Sequence, residues 1–403
     1  MESLKLFARY LHRWLGLATG WVLFIVFISG GILVLRPEIE RYAEPERYRA
    51  SQSDASKRTS VPDLIAAVEK AESADGAAVD VKRVLIPRDP GRNYRMTANV
   101  RGTRNRYAVD VDPYTGEIKG RGPSSLRDFF QTVTRWRRFL NMDKYSRLGN
   151  KLVCYSTLIC VFVLLSGFIR WLPAKLNCGR LWKNGLSVSV TKGGARFLFD
   201  SHNALGFYVC LPLLLLALTG VWLGFDWARD YVATALNEPQ PKETVYLSSD
   251  IPESVAPETV IASQKQKFGL DDDLEISIPR YNSLEPYELT VGGGRFFDFY
   301  FDPTYWWDAS TGEFLGVDRF GDLGWKTKIR RCLMPIHRGV IFGTASRWLF
   351  ALACLIGASL VVTGYWLTVK RWIRETAAVR KKALALQTAD RSKLNDEKKT
   401  AAD

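Results

Sequence analysis

The sequence predicts a membrane α-helical protein: a four-helix transmembrane bundle, made by a parallel tandem repeat, with two α+β domains on one side of the membrane. Three observations predict it. Four segments, Gly16–Leu35, Leu152–Ile169, Ala204–Phe225 and Trp348–Val369, carry almost no charge over the roughly 20 residues a spanning helix needs. Short basic stretches border these segments on alternate sides, as the positive-inside pattern requires. Landmarks of the first half also recur, in order, in the second.

The first span is expected within residues 5–35, where Lys5, Arg9 and Arg13 mark its inner end. It is too long for the apolar part of a signal peptide and has no small-x-small cleavage site after it, so it reads as a retained anchor. Residues 36–147 form the first outer domain, and the second span covers 148–171. The loop 172–199 holds Lys175, Arg180, Lys183, Lys192 and Arg196 with no acidic residue, which keeps it inside. The third span covers 200–225, the second outer domain 226–336 and the fourth span 337–369. A basic tail, 370–403, completes an arrangement with both termini inside. The formal charge of +14 follows from this pattern and gives little reason to expect nucleic acid. The first outer domain is net basic and the second net acidic, which favours their packing together.

Six cysteines are distributed so that only Cys332 lies outside; Cys178 is inside and Cys154, Cys160, Cys210 and Cys354 are in spans. No disulfide framework is possible in the outer domains, and the C-x-x-C-H signature of covalent haem attachment is absent.

The repeat rests on particular residues. His12-x-x-Leu15-Gly16 and Ser29-Gly30 recur 190 residues on as His202-x-x-Leu205-Gly206 and Thr219-Gly220. Asp112-Pro113-Tyr114-Thr115-Gly116-Glu117 recurs as Asp308-Ala309-Ser310-Thr311-Gly312-Glu313. Arg137-Arg138 and Ser146-Arg147 align at an offset of 200 with His337-Arg338 and Ser346-Arg347. Each half thus runs span, outer domain, span in the same direction. A Ser/Thr-Gly pair stands in every span (Ser29-Gly30, Ser166-Gly167, Thr219-Gly220, Thr363-Gly364); close helix packing explains these, with room for a planar group as the alternative.

Within the outer domains, Val61-Pro62-Asp63 followed by Leu64, Ala67, Val68 and Ala71 predicts a capped helix. Alternation over Tyr94–Val100 and Arg106–Val111 predicts strands that end in the Pro-Tyr-Thr-Gly turn. The second copy predicts a helix over Pro257–Phe268 and strands over Glu285–Val291 and Phe296–Phe301, with Gly292-Gly293-Gly294 as a hairpin turn. Tyr305-Trp306-Trp307 and Trp325 are aromatic enough to form an interfacial belt or a docking wall for a bulky ligand.

Three histidines are present, and each stands at the mouth of an apolar run. His12 and His202 open the first and third spans from the inner side, at matching depth. Two histidines so placed on different helices can supply both axial positions of a haem iron. His337 opens the fourth span on the outer side, and its repeat partner is Arg137, which stays protonated and cannot ligate iron. That leaves three readings: a five-coordinate site, a substitute sixth ligand, or no haem. Met142 is the best substitute, ahead of Lys144, Tyr145 and Met334. Arg13 and Arg338 directly follow histidines and are candidates to pair with haem propionates, Arg13 also serving as an inner anchor. Arg147 and Arg347 interrupt apolar runs and need partners. No metal cluster, nucleophile triad, flavin motif or nicotinamide motif is legible, so electrons must come from another molecule.

The helix, hairpin and Asp-x-x-Thr-Gly-Glu turn resemble the PepSY domain, and the spans with their histidine openings resemble the PepSY-associated transmembrane family. The likeness covers residues 5 to 375 and is nearest to the ferric-siderophore reductase branch, the FoxB- and PiuB-like proteins of the bacterial inner membrane. It implies one or two haem b groups held by His12, His202 and His337, and periplasmic outer domains. It further implies reduction of a ferric siderophore there with electrons from a quinol or a cytoplasmic reductase. Where the family commonly has a histidine at the second span, this chain has Trp136-Arg137-Arg138. The alternative is a non-enzymatic regulatory or binding protein of the cell envelope; a transporter is disfavoured because the spans lack acidic residues.

Overall fold

The computed structural model describes residues 2–73, 78–103, 105–172, 185–191, 193–237, 247–248, 255–268, 272–279, 284–292 and 301–400. In chain order the helices are α1 (Glu2–Val34), α2 (Arg36–Ala43), α3 (Val61–Glu72), α4 (Arg127–Phe139) and α5 (Ser146–Trp171). They continue with α6 (Gly194–Gly224), α7 (Asp226–Ala235), α8 (Pro257–Phe268), α9 (Trp325–His337) and α10 (Gly343–Thr400). The strands are β1 (Val79–Ile86), β2 (Tyr94–Val100), β3 (Arg106–Val111), β4 (Ile118–Arg121), β5 (Leu274–Ser277), β6 (Tyr287–Val291), β7 (Thr304–Trp307) and β8 (Phe314–Asp318). The chain divides into two compact units, one of residues 1–28, 145–218 and 353–403, the other of 29–144 and 219–352.

The first unit is a helical bundle. Among the described residues, α1, α5, α6 and α10 are long and apolar enough to cross a membrane, with mean hydropathy from 1.9 to 2.4. These helices display large apolar side chains outward, such as Trp21, Leu211 and Leu355, each more than 60% exposed. Water would penalise such a surface, whereas hydrocarbon does not. Inside, Val209, Leu213 and Ala353 are buried and pack with Phe27, Leu164 and Leu360. Gly20 lets α1 approach α10: a Cβ there would stand 2.6 Å from the Tyr365 ring, whose hydroxyl donates to the Leu17 carbonyl at 2.6 Å.

The helices overrun the apolar segments. The fourth span starts at Gly343 rather than at residue 337, because α9 ends at His337 and a turn with Gly339 at φ +70° intervenes. At the other end α10 continues to Thr400, so the basic tail is largely helical. Of the 172–199 loop, Lys175, Cys178, Arg180, Lys183 and Lys192 lie outside the described residues, while Arg196 sits in the first turns of α6 and pairs with Asp200 at 2.9 Å.

In the second unit the two α+β segments share one open antiparallel sheet that has, among the described residues, eight strands in the order β4-β3-β2-β1-β5-β6-β7-β8. The join is β1 with β5, where Val84 faces Ile276 and Leu85 faces Glu275. The charge balance of the two outer segments favours their packing together, and the pairing of these two edges removes an exposed strand edge from each. Alternation puts Val79, Val81, Val84, Met96, Val109, Ile276, Leu289 and Trp307 on one face, against Leu64 and Val68 of α3 and Val260 of α8. Ser60 caps α3 by accepting from the Asp63 amide.

The two Asp-containing turns are built alike. Asp112 accepts the Tyr114 amide at 2.9 Å and Gly116 donates to the Asp112 carbonyl at 2.9 Å; Asp308 accepts the Ser310 amide at 2.7 Å and Gly312 donates to the Asp308 carbonyl at 3.0 Å. Both glycines have φ +72°, a left-handed value that disfavours a side chain. Most of the expected Phe296–Phe301 strand, with Gly293 and Gly294, lies outside the described residues, and the strand that pairs with β6 is Thr304–Trp307. That register takes two of the four aromatic residues out of any belt or docking wall: Tyr305 and Trp307 are core residues, the Trp307 indole donating to the buried Gln264 at 3.0 Å, whereas Trp325 is 62% exposed.

Candidate functional site

The bundle unit encloses a cavity of about 750 Å³, within the range of about 300–1,000 Å³ usual for small-molecule and cofactor sites. His12 of α1 and His202 of α6 both line it, with Gly16, Gly20, Gly167, Gly206, Gly357 and Gly364 leaving its walls low. The two imidazole centres stand 6.3 Å apart with their planes at 81°. The structure therefore brings together the two histidines that the repeat placed at equal depth.

The hydrogen bonds around these rings assign their protons. His12 Nδ1 lies 2.9 Å from the Val163 carbonyl of α5, which can only accept, so Nδ1 carries the proton. His202 Nδ1 lies 2.8 Å from Thr363 Oγ1 of α10. That hydroxyl gives its own proton to the Ser359 carbonyl at 2.9 Å, so it accepts from His202. In both rings Nε2 then keeps its lone pair, the state in which imidazole ligates a metal.

Small residues make room for these rings. A Cβ on Gly167 would meet His12 Cε1 at 3.0 Å, and one on Gly364 would meet His202 Cε1 at 3.4 Å. The sequence shows a Ser/Thr-Gly pair in every span but not that two of these pairs lie against the histidines. Thr363 is the residue most clearly missed, since its role exists only across helices.

One end of the cavity is strongly cationic. Arg9, Arg13, Arg170, Arg196, Lys370, Arg371 and Arg374 line it, and among the described residues no Asp or Glu does. Arg170 is within electrostatic reach of both imidazoles and of Arg9 and Arg371. Arg13 lies over the Trp14 ring at 5.5 Å and makes a long contact of 4.0 Å to Glu375, and its Nε is buried without a hydrogen-bond partner. Trp171 and Phe207 stack at 3.9 Å on another part of the wall.

The remaining predicted residues belong to the second unit. His337 ends α9, with Nε2 3.0 Å from Arg137 Nη2 of α4 and Nδ1 3.0 Å from Thr219 Oγ1 of α6. Met142 is half-buried in the turn after α4, its amide bonded to the Phe139 carbonyl at 3.0 Å. Arg338 is exposed at the C-cap of α9. Arg347 finds the partner it needs in Glu38, at 2.9 Å.

Four apolar helices and an internal histidine pair define an α-helical membrane protein. The chain belongs to a known family: residues 9–371 match the PepSY-associated TM region. No curated protein matches the chain.

Proposed function

We propose that this protein is a haem b protein of the bacterial inner membrane that passes electrons across it to reduce ferric-siderophore iron in the periplasm. The observation that carries the proposal is the His12–His202 pair inside the cavity. Both rings line one cavity with their centres 6.3 Å apart, and in each the hydrogen bond at Nδ1 leaves Nε2 with its lone pair. The residues present fit the group.

His12 and His202 would hold the iron through Nε2, with Val163 and Thr363 fixing each ring by its Nδ1–H. Arg13 and Arg170 stand at the cationic end of the cavity, where the two propionates would offset their charge. The apolar walls, among them Leu23, Phe27, Leu164 and Leu213, would limit the access of water to such a group. When bound, haem b supplies one-electron transfer.

Siderophores hold Fe(III) through hard oxygen donors, and Fe(II) binds such donors far less tightly. One electron therefore suffices to loosen the metal. Basic inner segments support cytoplasmic termini and a periplasmic sheet. The parallel repeat supports a common origin for the two halves. The electron donor is read as a quinol or a cytoplasmic reductase.

The test is to reduce purified protein with dithionite and mix it with a ferric siderophore under argon. Reoxidation of the haem in step with appearance of Fe(II), trapped by a ferrous chelator, is the expected result. A red protein that stays reduced would refute siderophore reduction, and a colourless protein would refute the haem and return the regulatory reading.

A further inference from the structure

We infer that Arg137 occupies the ring nitrogen through which His337 would bind iron, so that this chain holds a single haem and uses His337 as a structural junction of three helices. The haem count rests on the function proposed above; the junction does not.

An imidazole ligates a metal through an unprotonated nitrogen with an open lone pair. His12 and His202 keep Nε2 in that state, because their Nδ1 protons go to Val163 and Thr363. His337 is wired differently. Arg137 Nη2 lies 3.0 Å from its Nε2, and a guanidinium has five donors and no acceptor. Nε2 must therefore be the acceptor, which spends its lone pair. The ring's one proton is then on Nδ1, where Thr219 Oγ1 at 3.0 Å receives it. Both nitrogens are used.

The guanidinium is a permanent cation, and it stands in front of the one nitrogen that could face iron. A ferric or ferrous ion would have to displace it against like-charge repulsion. Met142 does not change this, because a sixth ligand is of use only if His337 supplies the fifth.

What the trio does instead is join elements. Arg137 is in the last turn of α4, His337 closes α9 and Thr219 lies in α6, where it is 4% exposed. These are three segments far apart in sequence, held through one imidazole. Thr219 belongs to one of the Ser/Thr-Gly pairs, so its hydroxyl serves His337 much as Thr363 serves His202.

The experiment uses the full chain, purified from haem-supplemented cells. The pyridine haemochrome assay should give one haem per chain, unchanged in Arg137→Gln and His337→Gln. Because only three histidines are present, nitrogen-15 histidine labelling gives a readable spectrum in lipid nanodiscs. His337 should show a protonated Nδ1 and an acceptor Nε2, and the Nε2 resonance should move in Arg137→Gln. Both variants should melt at a lower temperature than wild type. Two haems per chain, or the loss of one in His337→Gln, would overturn the inference. So would a His337 signal broadened by directly bound ferric iron. A wild type without haem would remove the proposed function instead, and the nitrogen-15 spectrum would still decide whether Arg137 holds Nε2.

Discussion

Thr363→Val isolates the part of the site that sequence patterns do not reveal. Valine keeps the shape of threonine and removes the hydroxyl that receives the His202 Nδ1 proton at 2.8 Å. The imidazole N–H is then left inside the bundle without its acceptor, at a cost of about 1–3 kcal/mol. Loss of such an outer partner lowers metal affinity by about 10–100-fold. Converted at about 1.4 kcal/mol per factor of ten, this is about 1.4–2.8 kcal/mol, inside the range for the lost acceptor. The assay is the rate of haem loss to an excess of a haem-scavenging apoprotein. Thr363→Val should lose haem about 10–100 times faster than wild type, and Thr363→Ser should stay near wild type. Thr368→Val is the control: it removes a different hydroxyl of α10, one that lines the cavity and is bonded to the Gly364 carbonyl at 2.8 Å. Equal rates in Thr363→Val and wild type would refute the assignment of the His202 proton. So would a Thr368→Val effect as large as that of Thr363→Val.

Other outcomes follow from the same geometry. Gly167→Ala places a Cβ 3.0 Å from His12 Cε1, so the ring must shift by a few tenths of an ångström. Electron paramagnetic resonance of the ferric protein should show altered g values with no loss of expression. Asp110→Ala removes the carboxylate shared by Arg47 at 2.8 Å and Arg95 at 2.7 Å, leaving two cations on the sheet without it. As Arg95 is partly exposed, the expected loss is near the low end of the range for breaking a buried pair, about 3 kcal/mol, read as a lower melting temperature. Asp112 gives a pH dependence. Burial pushes its carboxyl up, but amides of Tyr114 and Ser51 outweigh this and hold it below the usual aspartate value. Its contribution is present above the unfolded value, near pH 4, and is lost as pH falls through the lower folded value. Acid unfolding followed by circular dichroism should lose part of its dependence below pH 4 in Asp112→Asn.

Much of the architecture was legible because it is written in local patterns. Charge-free runs and basic flanks indicate spans from composition alone; the helix over 61–72 follows from cap and periodicity, and that over 257–268 from its place in the second copy. His12 and His202 stand in matching His-x-x-Leu-Gly openings of the first and third apolar runs, which is what suggests their pairing. What stayed hidden depends on long-range contacts. The pairing of β1 with β5 involves residues about 190 apart, and nothing in either strand names its partner. Short strands such as Leu274–Ser277 and Ile118–Arg121 hold too few residues for alternation to be recognised. For His337 the sequence shows a place at a membrane boundary, from which a five-coordinate site, a site with a substitute sixth ligand and no haem are all open. The guanidinium that takes its Nε2 is 200 residues away, and the repeat pointed to that arginine only as a missing histidine.

The account's central claim is that His12 and His202 hold one haem between them, and the visible spectrum of purified protein tests it most directly. Wild type from haem-replete cells should show a Soret band and, on reduction, the sharp bands of a low-spin bis-histidine haem b. His12→Ala and His202→Ala should each lose that spectrum while still reaching the membrane at normal levels. A colourless wild type, or a spectrum unchanged in His12→Ala, would contradict it.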